Sequence, residues 1–587
     1  MNAETFNMLK MPFSRYGSFI GVTVKEKEGE VFIHCALRLF GEDKVFCMTF
    51  FLGERKVMPD ISFHPECLIF TKDDNYAKLY IKGENGLVID GNGFGLTFKL
   101  FTLPSKNGDV PEEYPLAYGQ QIGMNHFKII SVNARYVMGV HLFEGSGQLD
   151  GPYKMNERGN SINQRYILKV SPVNNRIFFQ VNIDSDELLP SEYKKPDVEQ
   201  DLNEIKSDWS IFRKSMPSTL PEFHDSALRS WFNLWSSTVP ARGNYKYPGV
   251  IMSKDFMSSI WSWDHCFNAL ALSLSNIKAA LEQFFLPFEL QAANGALPDY
   301  VNPELEVVWG VTKPPIHGWC FNKLMDAYDL DLDVLKKAYK HLSLWTQWWM
   351  QYNDVDGDGV PDYPMGCDSG WDNSTVFDLG YYVESPDLCA YLIIQMNTLS
   401  RISHKLGNSD DEGHWKVEAQ KLYSLFNSHS WVNGCYVAKV SHSHEFDEYP
   451  TSLITLIPLI LGELLDDDRK NKMISDLKKY YLTDYGLATE YYRGKYYKSD
   501  NYWRGSIWAP STYIIVDGLW RAGEKELALE IAMRFCNMIA KKANGDYENF
   551  DALTGEGLRA SGYTWTSSVN ILFLHLLNEN IDKVRKI

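Results

Sequence analysis

The sequence predicts an antiparallel β-sandwich followed by an all-α (α/α)6 toroid, and three observations carry that expectation. The chain of 587 residues is too long for one hydrophobic core. Its first third consists of short β-branched and aromatic runs separated by turn residues, whereas the apolar period becomes helical from about Phe223. About twelve helical stretches then follow one another, as six hairpins closed into a double-layered ring would require. The expected division is residues 1–207 for the sandwich and its linker, and 208–587 for the toroid.

Among the strands, 30–40 and 44–52 are rich in β-branched and aromatic residues, and turns such as Gly41-Glu42-Asp43 and Gly83-Glu84-Asn85-Gly86 bound them. Runs at 166–170 and 176–182 continue the pattern, which favours a sandwich. The charged, proline-marked stretch 188–207 reads as the linker. Helices are expected to begin near Phe223, Asp264, Ile277, Ile316, Leu332, Pro386, Asp411, Pro450, Asp467, Ser506, Glu524 and Thr566. Ser385-Pro386 supplies a capping serine before a proline at the first helical position. No fixed-period repeat supports an open array instead of a closed ring. The long loops of a ring are where a site grafted on a rigid scaffold belongs.

Aromatic residues make up 14% of the chain, with 17 tryptophans. Most will pack cores, and the rest can line a carbohydrate site. A net charge of −17 without a basic stripe argues against nucleic acid and anionic membrane surfaces as partners. Nine scattered cysteines with no Cys-x-x-Cys pair suggest neither a zinc site nor a disulfide framework. The start of the chain lacks a signal-like apolar run, and no stretch has membrane-spanning length. A cytoplasmic location is the resulting expectation.

Two carboxylates stand among small, amide and aromatic residues, away from any charge run. One is Asp372, in Ser369-Gly370-Trp371-Asp372-Asn373-Ser374; the other is Glu548, in Tyr547-Glu548-Asn549-Phe550. Such surroundings suit a place where a sugar ring stacks on indole while a proton moves. One acid and one base suffice to hydrolyse a glycosidic bond. Asp368, in the same loop as Asp372, competes for the role of acid. Asp372 can alternatively cap the following turn, and Glu548 can alternatively pair with a lysine such as Lys542.

These loops do not stand alone. Trp261-Ser262-Trp263-Asp264-His265 precedes them, Tyr502-Trp503-Arg504-Gly505-Ser506-Ile507-Trp508 lies between them, and Tyr563-Thr564-Trp565-Thr566 follows. In this order the segments resemble glycoside hydrolase family 63, the inverting processing α-glucosidases and their bacterial relatives, over residues 255–575. The resemblance implies that Asp372 is the general acid and Glu548 the general base. It also makes Lys313, in Thr312-Lys313-Pro314-Pro315, a substrate ligand. It implies a small carbohydrate partner and chemistry that needs no cofactor.

An inverting pair leaves room for a water, with carboxyls roughly 6.5–9.5 Å apart. The acid must hold its proton near neutral pH, which Trp371 and a desolvated cleft favour. The base should be ionised and open to a water. Trp263, Trp371, Trp503 and Trp565 offer faces to a pyranose, or else pack helices together. Asp264 and Arg504 can hold hydroxyls through charge-assisted hydrogen bonds, although Arg504 can instead be buried against a carboxylate.

Asp354-Val355-Asp356-Gly357-Asp358-Gly359-Val360 has the opening of a calcium loop, with oxygens from Asp354, Asp356, Asp358 and the Val360 carbonyl. Met365 occupies the twelfth position, where a closing glutamate is usual. The family resemblance implies Glu384 as its replacement and a structural role for the ion; an ordinary acidic turn is the alternative.

The leading expectation is therefore an inverting α-glycosidase acting on a small α-glucoside or related glycoside. A sugar phosphorylase of sandwich-plus-toroid architecture is one rival, but Glu548 would repel phosphate. A non-catalytic carbohydrate-binding protein is the other, although it would have no need of both carboxylates.

Overall fold

The computed structural model describes residues 11–25, 29–37, 44–100, 117–131, 136–150, 154–155, 161–162 and 167–585. The start of the chain at 1–6, the expected strand residues 38–40, the turn Gly41-Glu42-Asp43 and Tyr166 lie outside them. Two compact units form. One comprises Met1–Ser215, Phe232–Ser259 and Asn302–Leu305; the other comprises Met216–Trp231, Ile260–Val301 and Glu306–Ile587. The chain thus returns twice to the first unit after the division expected at 207.

In the first unit, Ile20–Lys25, Glu30–Cys35, Lys44–Leu52, Gly95–Leu100, Ile167–Ser171 and Ser146–Asp150 are hydrogen-bonded in that order, with Arg55–Val57 added to Lys44–Leu52. A second sheet runs Ala117–Gln121, His126–Ser131, Tyr136–Glu144, Arg176–Asp184, Gly86–Asn92, Asn75–Lys82, Cys67–Lys72 and Asp60–His64. Every pairing within these sheets is antiparallel. Aromatic contacts join their inner faces, Phe50 to Phe70 at 4.6 Å and Phe98 to Phe179 at 5.7 Å between ring centroids. That layering is a β-sandwich.

The expected linker is partly helical. Helix α1, Val198–Lys214, starts where the Asp197 side chain accepts from the Gln200 amide. Its charged sequence hides a narrow apolar stripe in which Ile205 and Trp209 are buried. Trp209 packs on Phe232 and Trp235 at 5.2 and 5.4 Å.

Each of the twelve expected helices is present, with its first residue within three of the expected start. Helix α2, His224–Ser236, contributes its first two turns to the second unit. There follow α3, Asp264–Ser273; α4, Ile277–Phe285; α5, His317–Ala327; α6, Leu332–Tyr352; α7, Pro386–Lys405; and α8, Ser409–Ser430. Leu453–Leu464 is a 3₁₀ helix carrying Pro458, whose missing amide disfavours α-helical bonding there. Then come α9, Asp467–Asp476; α10, Ala509–Arg521; α11, Lys525–Asn537; and α12, Thr564–Glu579.

The packing partners define a ring. α3 packs on α5, α5 on α7, α7 on Leu453–Leu464, that segment on α10, α10 on α12, and α12 on α3 again. α4, α6, α8, α9 and α11 form an outer layer, each against an inner neighbour. Inside the ring Phe267, Trp319 and Tyr513 meet with centroids 5.9–6.3 Å apart, so an aromatic cluster fills the interior. The Trp319 indole donates to Asp517 at 2.8 Å, joining α5 to α10. Ring closure is polar as well as apolar. The buried Asn268 of α3 donates to the Thr564 hydroxyl at 3.2 Å and accepts from the Ser568 hydroxyl at 2.8 Å, both on α12. Among the described residues, no helix is long and apolar enough to cross a membrane.

Asn268→Ala removes the two buried hydrogen bonds that Asn268 makes across the seam of the ring. It should cost about 1–3 kcal/mol of stability, read from urea unfolding against the unaltered chain.

Candidate active site

The sequence-selected residues converge because each lies in a segment entering an inner helix. Trp263 and Asp264 open α3, and Lys313 stands four residues before α5. The Asp372 loop leads to α7, the Trp503 segment leads to α10, and the Glu548 hairpin leads to α12. Entry ends carry the positive end of a helix dipole, a favourable surrounding for carboxylates.

Asp372 lies in a half-buried turn. It does not cap the next helix: Ser374 precedes the 3₁₀ turn Thr375–Leu379. Gly370 shapes the approach with φ +74°, and a Cβ there would lie 2.7 Å from the Trp263 ring. The loop therefore passes beneath an indole only because glycine has no side chain. Asn373 fastens it from outside, donating to the Asn501 carbonyl at 3.1 Å and accepting from the Trp503 amide at 2.9 Å. The Arg504 guanidinium donates to the Asn373 carbonyl at 2.6 Å and pairs with Asp378. Arg504 is thus engaged with the loop backbone and a carboxylate, a positioning role different from the hydroxyl ligand expected from sequence.

Asp368, the competing acid, has both oxygens engaged. It accepts from the Thr312 amide at 2.9 Å and from the Met365 amide at 3.2 Å. Its carboxylate ties the segment ahead of α5 to the acid loop.

Glu548 lies in the strand Tyr547–Phe550, paired antiparallel with Gly557–Ser561. The register shifts between Tyr547 and Asn549, so Glu548 sits at an irregularity that re-aims its side chain. Trp565 donates its indole N–H to the Glu548 carbonyl at 3.1 Å, and Phe550 exchanges two backbone bonds with Ile507 at 2.7 and 3.0 Å. Glu548 is 2% exposed, so it is shielded from bulk solvent. Its neighbours are the Tyr502 hydroxyl, the Ala560 amide and Arg559, not a surface lysine. Tyr502 and Arg559 both hold left-handed backbones, with φ +59° and +63°.

Burial pushes the Asp372 carboxyl up to about 6 against the opposing pull of Lys313. Burial pushes Glu548 up to about 7, and the charge on Asp372 adds to that rise. Burial pushes Asp264 up to about 8, with the Lys313 charge opposing the rise. Lys313 is the cation shared by these acids. Its ammonium lies 3.1 Å from Asp299, donates to the Cys367 carbonyl at 2.8 Å, and is held above the usual lysine value by Asp299, Asp372 and Asp264 despite its burial. No sequence signal marked Asp299, and Tyr502, Arg559 and Tyr563 were visible only as motif neighbours.

The tryptophans interlock. Trp371 lies 4.6 Å from Trp503, Trp503 stacks on Trp508 at 4.0 Å, and Trp263 touches Trp503 and Trp565 at 6.2 and 6.1 Å. Trp371 is 0% and Trp503 1% exposed. Both rings form the packed wall behind the carboxyls instead of offering the free faces expected of them, and Trp263 and Trp565 are buried as well.

The acidic loop is also assembled. Asp354, Asp356 and Asp358 place oxygens within reach of one ion, and Glu384 approaches Asp358. The Val360 amide donates to the Asp358 carboxylate at 2.8 Å. Two histidines that sequence reasoning overlooked, His429 and His444, stand in the same cluster.

The family model for the mannosylglycerate hydrolase MGH1-like glycoside hydrolase domain matches residues 257–566, just over half of the chain. Mannosylglycerate hydrolase MGH2 of Selaginella moellendorffii is 22% identical over 422 residues, covering 57% of this chain and 82% of that protein. The mannosylglycerate hydrolase of Rubrobacter radiotolerans is 22% identical, covering 53% and 89%. Among solved structures, the GH63 mannosylglycerate hydrolase from Thermus thermophilus in complex with glucose aligns with TM-score 0.51 and 18% identity over 59% of this chain and 98% of that one. A bacterial glucoamylase complexed with acarbose aligns with TM-score 0.64 and 11% identity over 99% and 95%, a likeness of fold.

Gly370→Ala forces a side chain into a left-handed backbone and against the Trp263 indole. It should cost about 1–3 kcal/mol, with tryptophan emission shifted in the folded state; unchanged emission and stability would contradict the packing described.

Proposed function

The chain belongs to glycoside hydrolase family 63 and is a glycoside hydrolase; from that membership we propose that it is an inverting α-glycosidase of a small α-linked glucoside or related glycoside. The observation that supports this reading is that the Asp372 loop and the Glu548 hairpin are both fastened to the segment 501–508, by the Trp503 amide on Asn373 and the paired backbones of Ile507 and Phe550. Two poorly exposed carboxyls thus lie in one site. Tyr502 feels both charges, and Glu548 is raised by Asp372.

In this mechanism Asp372 protonates the glycosidic oxygen as the bond to the anomeric carbon breaks. Glu548 takes a proton from a water that attacks the opposite face of the sugar. The products are a free sugar of inverted configuration and the released alcohol. The pair must therefore enter the reaction sharing one proton, carried by Asp372. Burial raises both carboxyls, and the chemistry requires the proton to reside on Asp372. The Tyr502 hydroxyl and the Arg559 charge favour ionised Glu548 and work in that direction. Lys313 lies among the carboxyls of Asp264, Asp299 and Asp372 and offsets part of their charge. Trp263, Trp565 and Asp264 are the proposed sugar contacts. The two carboxyls suffice for the chemistry, and a divalent cation in the Asp354–Glu384 cluster would act structurally.

The relatives named as mannosylglycerate hydrolases, together with the periplasmic trehalase of Xanthomonas axonopodis pv. citri, direct the first substrates to try. Mannosylglycerate, glucosylglycerate, trehalose and other α-linked disaccharides should be followed by NMR in the first minutes. The expected first product is the β-anomer; an α-anomer would overturn the two-carboxylate assignment.

Asp372→Asn and Glu548→Gln should each lower kcat on a natural glycoside by about 10²–10⁴. On an α-glycosyl fluoride, whose leaving group needs little protonation, Asp372→Asn should recover most of its rate and Glu548→Gln should not. Added azide should restart Glu548→Gln alone. The reverse pattern would exchange the two roles.

The pH profile of kcat/KM should be bell-shaped. Below about 6 both carboxyls carry protons and the base is lost, whereas above about 7 both are ionised and the acid is lost. A rate rising monotonically through pH 8 would contradict a shared proton.

A further inference from the structure

We infer that the cluster of Asp358, Glu384, His429 and His444 is a binding site for a borderline divalent transition metal of the zinc class, and not a calcium site. The four residues come from separate elements. Asp358 lies in the turn after α6, Glu384 in the strand Val383–Glu384, His429 in the last turn of α8, and His444 in the turn after the strand Lys439–Val440. One ligand atom from each lies within 4.8 Å of the others.

The donor set argues for the metal. Calcium is held by six to eight oxygens, and here two of the convergent groups are imidazoles. Imidazole with carboxylate suits zinc and its first-row neighbours. A tetrahedron with arms of about 2.0–2.1 Å has edges of about 3.4 Å. The observed separations are 3.5 Å from His429 Nδ1 to Asp358 Oδ2, 3.6 Å from His444 Nε2 to Asp358 Oδ2, and 3.9 Å from His444 Nε2 to Glu384 Oε1. His429 Nε2 also meets Glu384 Oε2 at 2.5 Å, which fixes the ring and the carboxylate relative to each other.

The oxygens that calcium would need are partly taken. Asp354 accepts from the Gly357 amide at 2.9 Å and the Gly359 amide at 3.0 Å, and Asp356 accepts from the His442 amide at 2.7 Å. A second, independent sign of a ligand lies in Glu384. Its side chain is fully buried, yet Oε1 faces the cluster without a hydrogen-bond partner. Beside it the buried Asp362 likewise leaves Oδ1 without one. A buried carboxylate oxygen is costly unless a proton donor or a cation meets it.

Such an ion would join segments that lead to the acid loop. Tyr363 exchanges backbone bonds of 2.9 Å with Val383, and the Tyr382 amide donates to the Pro364 carbonyl at 3.2 Å. Three residues after Pro364 the chain enters the loop of Asp368 and Asp372.

The test is titration of the full chain, stripped with chelator, with Zn2+ and separately with Ca2+, read by calorimetry and thermal unfolding. One equivalent of Zn2+ should bind about 100-fold more tightly than Ca2+ and raise Tm. Co2+ in the same site should show the intense visible bands of a four- or five-coordinate ion. His444→Ala, at a side chain 41% exposed, removes a ligand without opening the core. It should weaken Zn2+ about 100-fold while leaving the unfolding of the stripped chain unchanged. Glu384→Gln should do the same to Zn2+ affinity. Calcium binding as tightly as zinc, or zinc binding that neither substitution weakens, would overturn the assignment.

Discussion

The seam between α3 and α12 is the constraint on which the site rests. Asn268 bonds two hydroxyls of α12, and through that contact the helix that begins at Asp264 lies beside the helix that begins at Thr564. A ring closed in this way brings the entrance of the first inner helix to the entrance of the last. Carboxyls some three hundred residues apart in sequence thereby come to share one poorly hydrated volume. Their values follow from that sharing. Asp264, Asp372 and Glu548 are all raised by burial, while the single ammonium of Lys313 opposes the rise at two of them. Burying charge is costly unless it is paired and hydrogen-bonded, and much of the local architecture around the loops supplies such partners.

Two devices turn this shared volume into an ordered arrangement. On one side Asn373 and Arg504 fasten the Asp372 loop to the segment before α10. On the other, Phe550 and Ile507 fasten the Glu548 hairpin to that same segment. The residues 501–508 are thus a common anchor for the Asp372 loop and the Glu548 hairpin. The stacked Trp371, Trp503 and Trp508 rings thicken this anchor, so the indoles serve its stiffness more than direct contact with a ligand.

Much of the fold was legible because ring helices carry long apolar faces, and each helix start fell within three residues of its expectation. α1 was hidden, since a helix that buries Ile205 and Trp209 alone within a charged run has too narrow a stripe to stand out. Both carboxyls were legible from their odd neighbours, Trp371 beside Asp372 and Tyr547 beside Glu548. The roles of Arg504 and Asp368 were not, because the partners that fix them, the Asn373 carbonyl and the Thr312 amide, lie far from them in sequence. Asp299 carries no local mark at all; its importance comes from lying 3.1 Å from the Lys313 ammonium. The histidines of the acidic cluster escaped notice for a similar reason, standing about 70 and 85 residues beyond the loop they face.

Tyr502 and Arg559 flank the buried glutamate in a backbone region that side chains other than glycine and asparagine occupy at a cost of about 1–2 kcal/mol. That tension has an evolutionary reading. Drift toward a hardier protein would favour glycine or asparagine at either position, and under the proposed chemistry the hold of these side chains on Glu548 is the pressure that keeps a tyrosine and an arginine there. Heat resistance and turnover are therefore set against each other at these two residues, and selection for one should be visible as erosion of the other.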